Sequence, residues 1–98
     1  MYSMTSGKRL LSRVAPYATV LRGVAHPHRL AILYILSHEP AWPEYIARFV
    51  PIKQNLIAHH LKAMVDAGWL TKYTEGRHRM YRVKKNVFKH LWNFLPLP

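Results

Sequence analysis

The sequence predicts a mainly α-helical domain with one small β-hairpin, and three observations predict it. Apolar residues recur at helical spacing through most of residues 8–68. After Gly68 the period changes to alternation, in WLTKYT (69–74) and HRMYRV (78–83), with Glu75-Gly76-Arg77 between them as a turn. A helical stripe then returns at Val87, Phe88, Leu91, Trp92 and Leu95, and Pro96 stops it. The 98 residues make one domain, 1–98, with an N-terminal arm over 1–14 and a C-terminal helix over 84–98.

Composition narrows the chemistry. Fifteen Lys and Arg stand against only Glu39, Glu44, Asp66 and Glu75, for a net charge of +11. Such an imbalance on a small domain predicts a polyanionic partner, nucleic acid first and an anionic membrane surface second. Half of the residues are apolar, which is the composition of a folding chain. The absence of cysteine excludes a disulfide framework, a thiolate zinc site and a cysteine redox switch. No apolar run approaches the roughly 20 residues that span a bilayer. Arg13 interrupts the apolar stretch that a secretory signal would need. The expectation is a cytoplasmic, nucleoid-associated protein with no membrane contact. Four scattered carboxylates, no nucleophile–base set and no glycine-rich phosphate loop argue against an enzyme and against a cofactor.

Along the chain, residues 1–7 read as a flexible end. Leu10, Val14, Tyr17, Leu21 and Val24 keep helical spacing, but Pro16 interrupts it. The spacing predicts a short helical arm over 8–14 and a second helix near 16–24, closed by Gly23. Pro27 suits the first turn of the next helix, in which Leu30, Ile32, Leu33, Ile35 and Leu36 surround nearly the whole circumference. That helix is expected at the buried centre of the core. Residues 38–43 form a turn, and Pro43-Glu44 then start a short helix, EYIARFV, with Ile46, Phe49 and Val50 inward.

The stretch IKQNLIAHHLKAMVDAG (52–68) follows, and it divides cleanly. Ile57, His60, Leu61, Met64 and Val65 fall on one arc; Asn55, Ala58, His59, Lys62 and Asp66 fall on the other. Two helices joined by a short turn, the second with a polar outer face, form a helix-turn-helix. Gln54 and Asn55 sit in its first turn, and amide side chains suit the matched donor and acceptor pairs of base edges in a major groove. A hairpin carrying Lys72, Arg77, His78, Arg79 and Arg82 directly after such a motif is a wing. The fold class is a winged helix-turn-helix.

This order of motifs resembles the ArsR-type winged-helix repressors over about residues 20–92. The residues that carry the resemblance are AHPHRLAIL (25–33), EYIARFVPIKQNLIAHHLKAM (44–64), DAGWL (66–70) and EGRHRMYRV (75–83), without an insertion or deletion. The resemblance implies that Gln54, Asn55, Ala58 and His59 face bases. It also implies that Arg77 and its neighbours meet the DNA backbone or minor groove, and that the protein dimerises through its first and last helices. Lys53, Lys62, Lys72, His78 and Arg79 complete the expected DNA-contacting set. The expected dimer interface is Leu10, Val14, Tyr17, Leu21, Phe88, Leu91, Trp92 and Leu95.

Three positions depart from the family pattern. His26 stands where an Asp usually caps the helix before the proline, and His is a weaker cap. Lys53 replaces a capping Ser and places a charge near phosphate instead. Leu56 replaces a small polar residue and would thicken the packing edge beside His60. The family's cysteine clusters and its carboxylate–histidine set on the last helix are missing, since His90 stands alone there.

His59 and His60 point about 100° apart on a helix and cannot share one ion. His60 reads as a core histidine and His59 as a DNA contact. His26 and His28 could pair around a metal, but no carboxylate is close in sequence, and no metal site is assigned. Trp69, Tyr73, Tyr81, Trp92 and Phe94 read as core and interface, since their spacing makes no base-stacking ladder. The sequence thus points to a homodimer that binds double-stranded DNA site-specifically and represses transcription. A sequence-tolerant architectural DNA binder is the alternative. A metal- or small-molecule-responsive repressor comes third, with Tyr17, Trp92 and Phe94 around an effector pocket.

Overall fold

The computed structural model describes residues 4–94, with side chains from Gly7 onward. Its elements are α1 (Met4–Arg22), α2 (Pro27–His38), α3 (Pro43–Ile46), α4 (Gln54–Asp66), β1 (Leu70–Glu75), β2 (His78–Val83) and α5 (Lys85–Phe94). Leu95, expected at the dimer interface, lies outside the described residues.

α1 corrects two expectations. It is one helix that runs through Pro16, and it already includes residues 4–7. Proline removes one N–H and so strands one carbonyl, that of Ser12, but Ser12 is exposed and water can serve it. The following turn is reinforced, because the Thr19 hydroxyl donates to the Ala15 carbonyl at 3.2 Å and Arg22 donates to Thr19 at 3.0 Å.

Pro27 takes the first turn of α2, where its missing N–H is no loss. His26 does cap this helix: its Nδ1 accepts from the His28 backbone N–H at 3.1 Å. α2 is not buried all round, as its apolar circumference suggests. Ile32 and Leu36 are buried, whereas Leu30 and Tyr34 are 54% and 69% exposed. The reason is that α2 packs against α4 and β2, which together cover only one side of it. α3 is shorter than expected and gives way to turns after Ile46. Its regular period is lost there. Ile46 and Val50 still point inward, but Phe49 turns out to solvent at 59% exposure.

The core is built around α4, whose Ile57, His60, Leu61 and Met64 are buried against Ile32, Ile46, Trp69 and Leu70. β1 and β2 are antiparallel, with Leu70 opposite Val83 and Glu75 opposite His78. Gly76, at φ +60°, and Arg77 make the two-residue turn. Only the first of these has positive φ, which matches a type II′ hairpin. Ala41 and Tyr81 exchange backbone hydrogen bonds of 3.1 and 2.9 Å, which ties the loop before α3 to the wing.

The molecule is long for its size. Its extents are 54 × 23 × 22 Å and its radius of gyration is 16.1 Å, against about 13 Å for a compact chain of this length. The C-terminal end of α1 is fastened to the body by Val24 in the core and by the Trp69 indole N–H, which donates to the Val20 carbonyl at 2.6 Å. The rest of that helix projects. No helix of the described residues is long and apolar enough to cross a membrane.

Two glycines give opposite predictions. A Cβ on Gly23 would lie 2.5 Å from the Ala67 Cβ and 3.1 Å from the Trp69 ring, so α1 would have to move off α4. Gly23→Ala should lower stability by about 1–3 kcal/mol. Gly7, inside α1, has open space around it, and Gly7→Ala should raise stability by about 0.5–1 kcal/mol. Urea melts of the two variants check both signs.

Candidate nucleic-acid interface

The outer arc of α4 is laid out as its sequence predicts. Gln54, Asn55, Ala58, His59, Lys62 and Asp66 are all exposed, while the opposite arc is buried. Lys53 sits at the N-cap and makes no side-chain cap, so the first backbone N–H groups of the helix are open to solvent or to an anion. Leu56 is 40% exposed, on the flank of the helix beside His60. Lys62 is held by Asp66 at 3.0 Å, an exposed pair one helical turn apart. Such pairs contribute about 0.3–0.5 kcal/mol, little enough for a stronger anion to displace Asp66.

The hairpin separates residues that the sequence groups together. Cross-strand partners share a face, and the register places Lys72, Arg79 and Tyr81 on one face with Leu70, and Tyr73, His78 and Arg82 on the other. The first face turns toward α4. Ala58, Lys62, Val65 and Asp66 of the helix and Lys72, Arg79 and Tyr81 of the wing line a single groove of about 390 Å³. On the second face, the His78 ring stacks on Trp42 at 4.5 Å and the Arg82 guanidinium lies 4.7 Å over the Tyr73 ring. Arg77 stands at the exposed turn. Of the five expected basic wing residues, two therefore share a groove with the helix and two are drawn onto aromatic neighbours.

A second surface is apolar. Leu10, Val14, Tyr17 and Leu91 are half-buried, and Leu21, Phe88 and Trp92 are exposed, Trp92 at 58%. Tyr17 of α1 stacks on Phe94 of α5 with centroids 3.9 Å apart, and Pro16, Tyr17, Val20, Val87, His90 and Leu91 line a cleft of about 300 Å³ between the two helices. α1 and α5 thus form one face. Leu11, 68% exposed, extends the apolar surface of α1 beyond the expected set.

Behind α4 lies an arrangement that no local pattern announces. His60, buried as expected, accepts a hydrogen bond at Nδ1 from Arg29 Nε at 3.0 Å, and Arg29 also reaches the Gly23 carbonyl at 3.5 Å. The rings of His26 and His28 stand beside it, at centroid distances of 4.8 and 5.6 Å. Burial, the Arg29 guanidinium, and then His26, His28 and His59 hold the His60 imidazole below its ordinary pKa of 6.5.

Comparison with known proteins gives a consistent picture at the level of structure. No protein-family model matches the chain, and no curated protein matches it by sequence. Solved structures do match. An ArsR-like transcriptional regulator from Rhodococcus sp. RHA1 superimposes with a TM-score of 0.80 at 23% identity, over 88% of this chain and 79% of that one. A crystal structure of an ArsR family transcriptional regulator gives a TM-score of 0.75 at 25% identity, over 83% and 89% of the two chains. A homodimeric winged helix-turn-helix DNA-binding domain from Mycobacterium bovis, a possible ArsR-family transcriptional regulator, gives 0.72 at 24% identity, over 90% and 82%. The chain has the winged helix-turn-helix fold of the ArsR-family transcriptional regulators, and these neighbours are regulators, not enzymes.

The His60 environment yields a pH prediction. The folded state holds this ring neutral more strongly than the unfolded chain does, so its contribution to stability is present above pH 6.5 and is lost as pH falls from there through the lowered folded value. Thermal melts between pH 5 and 7.5 should show stability declining on the acid side. In His60→Leu the decline should be shallower, at a lower absolute stability because Arg29 loses its acceptor.

Proposed function

We propose that this protein is a homodimeric, sequence-specific double-stranded DNA-binding transcriptional regulator, a repressor that acts by occupying its promoter. The observation that carries this reading is the single surface formed by the outer arc of α4 and the inner face of the wing, polar on the helix and basic on the hairpin. The net charge of +11 supplies the attraction to phosphate. Gln54, Asn55, Ala58 and His59 enter the major groove nearest the bases. Lys53, Lys62, Lys72, Arg77 and Arg79 meet phosphates, and His78, stacked on Trp42, braces the wing and touches DNA at its margin. Such a protein works in the cytoplasm, on the nucleoid.

The dimer joins the α1/α5 face of one chain to that of another. This covers Phe88 and Trp92 and gives the projecting α1 a surface to lie on. Two-fold symmetry places the two copies of α4 on half-sites about one helical turn apart, so the operator is an inverted repeat. The architectural reading differs only in making no use of the amides, and the high charge is the observation in its favour.

Selection from a random DNA pool at about 0.15 M salt separates the two, since an enriched inverted repeat supports the regulator and a flat pool with strong binding supports the architectural protein. With on the order of 6–10 phosphate contacts, the logarithm of affinity should fall steeply and linearly with the logarithm of salt concentration. On the selected site, Gln54→Ala should cost about 1–3 kcal/mol and relax preference at one base position. Arg77→Ala and Arg79→Ala should weaken all sequences alike and flatten the salt dependence. An exchange of these two phenotypes in a gel-shift series would overturn the assignment of roles. Trp92→Lys should yield a monomer by sedimentation.

A further inference from the structure

The first turn of α2 stands against the middle of α4, and imidazoles make the contact. One nitrogen from each of His26, His28 and His60 lies within 4.8 Å of the other two, the one such group of three or more His or carboxylate side chains among the described residues. The His28 Nδ1 atom is buried and has no hydrogen-bond partner. Buried polar nitrogens are nearly always satisfied, so an orphan that shares a cluster with two other imidazoles has a ligand to account for.

We propose that His26, His28 and His60 bind one divalent ion of the imidazole-preferring class (zinc, nickel or copper), with the fourth position left to water. Three histidines and an open position are an established donor set for such ions. Metal–nitrogen bonds of about 2.0–2.1 Å in a tetrahedron place ligand nitrogens about 3.3–3.4 Å apart. The widest pair, at 4.8 Å, must therefore close by about 1.4 Å, a movement that rotation of the ring torsions supplies.

The hydrogen-bond inventory says what the ion displaces. A neutral imidazole has one lone pair, and those of His26 and His60 are engaged, by the His28 backbone N–H and by Arg29. Binding exchanges these two hydrogen bonds for metal–nitrogen bonds and satisfies the orphan on His28. Arg29 swings away from His60 and keeps the Gly23 carbonyl. The positive end of α2 and the Arg29 charge both oppose a cation here, which limits affinity and makes the released Arg29 part of the response. The ion would join the start of α2 to α4 from behind, on the side away from Gln54, Asn55 and His59. It requires no particular reading of what α4 contacts.

The test uses the full chain and the metals alone. Calorimetric titration with Zn²⁺ should give one ion per chain, Co²⁺ should develop the visible absorption of a tetrahedral nitrogen site, and Zn²⁺ should raise the melting temperature. His28→Gln, which removes a ring nitrogen that has no partner, should weaken binding at least about tenfold and abolish the thermal shift. His26→Asn keeps a capping acceptor and should do the same, so a folding defect in one variant leaves the other to decide. His38→Gln and His90→Gln, at exposed histidines outside the cluster, should bind as the parent does. Parent-like affinity in both cluster variants, or losses shared equally by the exposed histidines, would overturn the site.

Discussion

Everything that faces outward on this protein depends on how α4 is held from within. Ile57, Leu61 and Met64 are fully buried, and His60 nearly so, on one arc of that helix. Burying each of the three apolar side chains contributes about 1.5–3 kcal/mol relative to leaving it exposed. A turn of the helix by one residue, 100°, would expose that arc and cost most of this. The orientation of Gln54, Asn55, Ala58 and His59 is therefore set by core packing, not by the residues themselves. Gly23 against Ala67 and the Trp69 indole on the Val20 carbonyl fasten α1 to the same block, at the C-terminal end of α4. The direction of the presented surface is thus fixed by the packing behind it.

Charge is arranged the other way, with little internal neutralisation. Fifteen basic residues meet four acidic ones, and among the described residues the single ion pair is the exposed Lys62–Asp66. A chain of this kind is stressed by its own repulsion at low salt and relieved by a polyanion. Aromatic rings do part of the holding that carboxylates would otherwise do, with Arg82 over Tyr73 and Arg48 over Tyr45. These contacts fix long basic side chains without cancelling their charge. Two such dispositions of charge on one hairpin, free on the α4 side and stacked on the other, give the wing a direction.

Much of this was legible in the residues, and the failures have physical causes. The division of α4 into arcs, the hairpin with its Gly76 turn and the two-helix motif are properties of period and turn chemistry, and these are local. Pro16 misleads because a helix with an exposed carbonyl at i−4 loses one hydrogen bond there and need not end. Leu30 and Tyr34 mislead because an apolar circumference records what a helix can bury, not how many neighbours it has. His78 and Arg79 are adjacent in sequence and lie on opposite faces, which only the strand register decides. The His26–His28–His60 group is the least legible of all. Its members look unremarkable separately, and what joins them is the crossing of α2 on α4.

That crossing has a consequence for how the two sides of α4 can communicate. His59 and His60 are consecutive, so their side chains diverge by about 100°. One stands on the outer polar face and the other in the cluster behind it, with ring centroids 5.8 Å apart. Whatever changes the partner of His60, whether a proton, Arg29 or an ion, acts on the same turn of backbone that carries Ala58 and His59. His26 uses its one acceptor lone pair on the His28 backbone N–H, and His60 uses its own on Arg29. The histidine at position 26 caps α2 through that one bond, accepted at Nδ1 from the His28 N–H. It also makes the junction between α2 and α4 dependent on lone pairs that can be reassigned. The residue that caps α2 is thus also one of the three imidazoles that meet behind α4.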